Sequence, residues 1–105
     1  MKVFYARIFD KQFKKLDRHI QKKVLQEIEL LKADLTLGDP LTGDLRGLGS
    51  LHVKVGKAHY RVIYKLNKRK DKMLIIAVGP HKIYEWLKNY IRNVLRTSVE
   101  RLFEI

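Results

Sequence analysis

Cysteine is absent from the chain, which removes a disulfide framework, a thiolate nucleophile and any zinc site built on Cys ligands. Acidic residues are scarce: 11 Asp plus Glu stand against 23 Lys plus Arg, a formal charge of +12. Histidine is limited to His19, His52, His59 and His81, none at HExxH or similar spacing, so neither a metal nor another cofactor is expected. Long apolar runs are missing too. The opening MKVFYARIF carries Arg7 and leads into charged sequence, which excludes a signal peptide or membrane anchor and leaves a cytoplasmic protein as the expectation. There are no internal repeats or low-complexity segments.

What is present is a hydrophobic fraction of 46% in 105 residues, enough for one modest core and too short for two, so a single domain over 1–105 is expected rather than disorder. The cationic excess repels itself and calls for a neutralising partner: nucleic acid first, with an acidic protein or a membrane surface behind it.

Residues 2–9, KVFYARIF, are aromatic and β-branched and predict an opening strand. Asp10 and Asp17 are positioned to cap helices, and Phe9, Phe13, Leu16 followed by Ile20, Val24, Ile28, Leu31 and Leu35 keep helical spacing. Two helices follow, whose outer faces carry Lys11, Lys14, Lys15, Arg18, Lys22 and Lys23. Such a run is ordinarily a solvated face and supports steering of a polyanion. The Gly-, Asp- and Thr-rich stretch 36–50 is a loop. Three strand-like runs, LHVKV, HYRVIYKL and MLIIAVG, are joined by GKA and by a charged NKRKDK turn, short links that make antiparallel neighbours. After Pro80 a helical pattern resumes, with Leu87, Ile91, Val94, Leu95, Ser98 and Leu102 on one side and 85–105 as a longer C-terminal helix. The order βααβββα is an α+β domain, its small antiparallel sheet covered by helices on one face.

Alternation in HYRVIYKL sends Arg61, Ile63 and Lys65 to one face; in the preceding strand His52 and Lys54 share a face. Aligned pleats would bring His52, Lys54 and Arg61 together. That set suits phosphodiester cleavage by a ribose 2′-OH, which needs a base, donors to the non-bridging oxygens and an acid for the leaving 5′-oxygen. Arg61 fits the phosphate and His52 the base. The competing reading is that cations on a strand face only solubilise an edge. His81 and Tyr84 follow the last strand, where a proton donor and a stacking surface could stand, or where Tyr84 could be a core aromatic. Trp86 is expected to anchor the last helix in the core. His59 is expected in the turn, and His19 in solvent.

With these residues in place the chain resembles bacterial and archaeal toxins of the RelE/ParE superfamily. The resemblance rests on LRGLGS (45–50), a K-x-G turn into YRVIY (60–64), a charged turn and IIAVGPHKIY (75–84), and covers the chain to about residue 90. It implies two helices packed on an antiparallel sheet and one of two activities: metal-independent cleavage of messenger RNA in the ribosomal A site, as in RelE-like members, or inhibition of DNA gyrase, as in ParE-like members. A diverged, inactive member is a further alternative. Carried over by position, Lys54 matches a catalytic lysine and Arg61 a phosphate-stabilising arginine. His52 falls where RelE has a second lysine, His81 where it has an arginine, and Tyr84 matches a stacking tyrosine. Lys14, Lys15, Lys22, Lys57, Lys65 and Lys82 are the expected contacts to RNA or ribosome. The resemblance also implies a cognate RelB-like antitoxin that binds the toxin as a hetero-oligomer and covers its C-terminal helix; no membrane partner is implied.

Overall fold

A computed structural model describes residues 1–92 of the chain. Its elements are β1 (Lys2–Tyr5), α1 (Arg7–Lys14), α2 (Arg18–Ala33), β2 (Asp39–Pro40), β3 (Gly49–Val55), β4 (Ala58–Asn67), β5 (Lys72–Gly79) and α3 (Ile83–Tyr90). The five strands form one sheet in the order β1-β5-β4-β3-β2.

The α+β class stands, with corrections. β1 runs parallel to β5, Lys2 opposite Lys72 and Tyr5 opposite Ile75, so the sheet is mixed. The opening strand stops at Tyr5, because Arg7, Ile8 and Phe9 already belong to α1, where Phe9 stacks on Phe13 one turn later. Asp10 therefore lies inside that helix, whose N-cap is Ala6, while Asp17 is the N-cap of α2 without a side-chain hydrogen bond. A short β2 also appears inside the loop, pairing Asp39 with Ser50 and Pro40 with Gly49.

The helices are not confined to one face. Ile20, Val24, Ile28 and Leu31 of α2, with Phe9 of α1, pack on Leu51, Val53, Val62, Tyr64, Ile75 and Val78. On the other face Ile83, Leu87 and Ile91 cover Ile63, Ile76 and Ala77, closed by Leu45 and Leu48 from the loop. β5 is apolar at nearly every position because both of its sides are buried. Trp86, expected in the core, is 42% exposed and stacks on Tyr90, since the inward stripe of α3 runs through Ile83, Leu87 and Ile91. The stripe positions Val94, Leu95, Ser98 and Leu102, and the helix extension beyond residue 92, lie outside the described residues.

Candidate functional site

The β3–β4 hairpin turns on Gly56 and Lys57, with Val55 opposite Ala58. Gly56 sits at φ +60°, a conformation that a leading glycine supplies to a two-residue hairpin without steric cost. So short a turn fixes the register of everything beyond it. His52 comes directly opposite Arg61, and Lys54 opposite His59.

Residues opposite one another in an antiparallel pair share a face. His52, Lys54, His59 and Arg61 therefore stand together on the face that α3 covers only at its far end. His52, Lys54 and His59 are exposed, while Arg61 is partly buried and donates from Nη1 to the Tyr60 carbonyl at 3.3 Å. On the next strand Gly79 pairs with Arg61, so a residue without a side chain flanks the guanidinium. His81 lies two positions further, in the exposed link to α3.

His59 is a strand residue and not part of the turn. Its ring lies edge to edge with that of His52 and close to coplanar, with centroids 4.9 Å apart and an interplanar angle of 24°. His52 Nε2 and His59 Nδ1 share a hydrogen bond of 2.7 Å. Alternation held the signal: in a two-residue hairpin His59 must face the same way as Arg61. Partial desolvation, then the charges of Arg61, His59 and Lys54, hold the His52 imidazole below its ordinary value of 6.5. The shift favours the neutral imidazole, the form a general base requires.

Tyr84 crosses from α3 to the sheet. Its hydroxyl lies 2.6 Å from Ser50 Oγ, and its ring meets His81 edge-on, centroids 5.2 Å apart at 79°. Ser50 is two residues before His52 on the same strand face, so Tyr84 borders the cationic patch. Ser50 was not singled out by sequence; a buried serine in a strand gives no periodic signal. Beside Tyr84, an open cleft is lined by Leu41, Thr42, Leu45, His81, Lys82 and Lys88.

The remaining cations divide. Lys57 is exposed at the hairpin tip, and Lys65 lies further along β4 on the Arg61 face. Lys82 stands at the N-terminus of α3 beside His81. Lys22 is exposed on α2, which packs on the opposite face. Lys14 and Lys15 are exposed at the end of α1, and Lys15 lines a cleft with Trp86 and Tyr90 of α3, away from the His52–Arg61 pair.

The fold recurs in solved toxins. A RelE variant from Escherichia coli in the free state superposes with a TM-score of 0.66 at 15% identity, over 89% of this chain and 96% of that one. The YoeB/ParE toxin from Agrobacterium tumefaciens gives 0.64 at 18% identity, over 77% and 99%. A chain of the toxin–antitoxin complex RelBE2 from Mycobacterium tuberculosis gives 0.63 at 23% identity, over 76% and 96%. No curated protein sequence matches. The sequence pattern described as the ParE-like toxin of type II bacterial toxin–antitoxin systems matches residues 3–88, nearly everything the structure describes, and the chain belongs to that family of toxins.

Proposed function

We propose that the protein is a ribosome-dependent endoribonuclease that cuts messenger RNA in the A site by internal attack of a 2′-OH. The observation that carries this reading is the register of the hairpin, which sets His52 opposite Arg61 and Lys54 opposite His59 on one open face. In the proposed reaction neutral His52 takes the 2′-OH proton and the 2′-oxygen bonds to phosphorus. Arg61 and Lys54 hold the charge on the non-bridging oxygens. The bond to the 5′-oxygen breaks, and that oxygen takes a proton from His81. The products are a 2′,3′-cyclic phosphate and a 5′-hydroxyl. Tyr84, with its ring half-buried beside the patch, supports a neighbouring base, and Lys57, Lys65 and Lys82 extend the contact to RNA backbone. Lys14, Lys15 and Lys22 act outside the patch, as contacts to the ribosome. This chemistry assigns no step to a metal ion, so EDTA should leave purified activity intact wherever the ribosome itself stays assembled.

Similarity to toxins solved in RelB–RelE complexes supports a RelB-like antitoxin as partner, in a hetero-oligomer that silences the toxin in the cytoplasm. Primer-extension mapping of a defined message with the purified protein, with and without translating ribosomes, tests the activity. Codon-phased ends that require ribosomes are expected; an uncut message under both conditions overturns it.

The ParE-like match favours a second reading, inhibition of DNA gyrase without nuclease activity. Supercoiling by purified gyrase separates the two, because an RNA-cutting toxin leaves it untouched.

A further inference from the structure

A base must present a lone pair to the hydroxyl it deprotonates, and an imidazole has two nitrogens of which one carries the proton. His52 Nε2 is already committed: it lies 2.7 Å from His59 Nδ1, with the two rings edge to edge and close to coplanar. If His59 donates this bond, His52 carries its proton on Nδ1 and has no free lone pair. If His52 donates, its Nδ1 is free and basic. The contact therefore decides whether His52 can act at all.

We propose that His59 is a positioning residue for His52: its Nδ1 accepts the His52 Nε2–H, which leaves the His52 Nδ1 lone pair for the RNA 2′-hydroxyl. The role rests on the nuclease reading above. It adds a function to a residue that touches neither phosphate nor leaving group. When His52 Nδ1 takes the hydroxyl proton the ring becomes an imidazolium, and its Nε2–H bond to His59 becomes charge-assisted and stronger. That gain holds while His59 is neutral and opposes the repulsion from Arg61 and Lys54, to which a protonated His59 would add. After the product leaves, His52 Nδ1 gives its proton to solvent, which restores the neutral pair with His52 Nε2–H still donated to His59 Nδ1. The hydrogen bond to the neighbouring strand residue also restricts the His52 ring to one orientation, so less rotamer freedom is lost when RNA binds.

The test joins a spectrum to a rate. In full-length protein with nitrogen-15 histidine, a scalar coupling across the hydrogen bond should link His52 Nε2 to His59 Nδ1, with the proton on His52 at pH 7.5. His59→Ala should slow single-turnover cleavage on ribosomes by roughly tenfold or more, a part of what general acid–base catalysis contributes. His59→Asn, whose amide oxygen can stand where Nδ1 accepted, should recover most of that loss. Circular dichroism confirms that both variants fold. A proton found on His59 Nδ1 overturns the inference, as does His59→Ala cutting as fast as the wild type while the wild type is active. A wild-type protein that leaves messages uncut on ribosomes is the different failure, which removes the nuclease reading and the role built on it.

Discussion

Ser50 and Tyr84, 34 positions apart, meet through their hydroxyls at 2.6 Å and tie the inner strand β3 to α3. Ser50 is only 5% exposed, whereas Tyr84 reaches the edge of an open cleft. The asymmetry predicts unequal costs. Tyr84→Phe strands a buried serine hydroxyl and should lower stability by about 1–3 kcal/mol. Ser50→Ala leaves a tyrosine hydroxyl that water can reach and should cost about 1 kcal/mol or less. Urea unfolding should show the midpoints falling in that order with the slope unchanged.

Arg61 should separate chemistry from folding. Its guanidinium faces the open patch while its strand neighbours Tyr60 and Val62 point into the core. Under the proposed reaction Arg61→Ala should reduce ribosome-dependent cleavage by about 10²–10³-fold, the scale of losing a donor to a developing oxyanion. Arg61→Lys should fall between, because a point charge replaces a two-pronged donor. Thermal unfolding of both should stay close to the wild type. Undiminished growth arrest on expression of Arg61→Ala would remove this residue from the mechanism.

Local pattern carried much of the fold. Ile20, Val24, Ile28 and Leu31 keep helical spacing, and all four are buried. Alternation placed His52 and Arg61 on one face because a two-residue turn leaves the hairpin no freedom of register. Non-local choices were illegible. Nothing in KVFY specifies that it runs parallel to β5, since such pairing depends on how the intervening chain packs. Two residues of β2 are too few to show a period. The placement of α3 did have a signal, the unbroken apolar run of β5, which alternation-based reasoning passes over. Trp86 shows the reverse error: aromatic bulk suggested core, but the stripe through Leu87 and Ile91 excludes it.

Gly49 faces Tyr64 across the strand pair, and a Cβ placed there would collide with the phenol ring. Gly38 leaves room for the same ring from the loop before β2. Gly49→Ala should therefore destabilise by about 1–3 kcal/mol through overpacking. Adding Tyr64→Leu to Gly49→Ala should recover part of that loss relative to the sum of the single changes, a coupling that a double-mutant cycle of urea midpoints measures.

The lowered pKa of His52 has consequences of fixed sign for activity and for stability. With its pKa below 6.5 the neutral base already predominates at that pH, so the acid limb of single-turnover cleavage should lie below 6.5. Lys54→Met removes one of the charges that depress it. The limb should then move up toward 6.5, whatever happens to the plateau rate. Folding is linked to the same proton. Below 6.5 the unfolded chain binds it more readily than the folded protein, so this contribution to stability is present above 6.5. It is lost as pH falls through the window down to the folded value. His52→Asn should flatten that part of the stability–pH curve while leaving the curve above 6.5 parallel to the wild type. A wild-type acid limb above 6.5 would contradict His52 as the base.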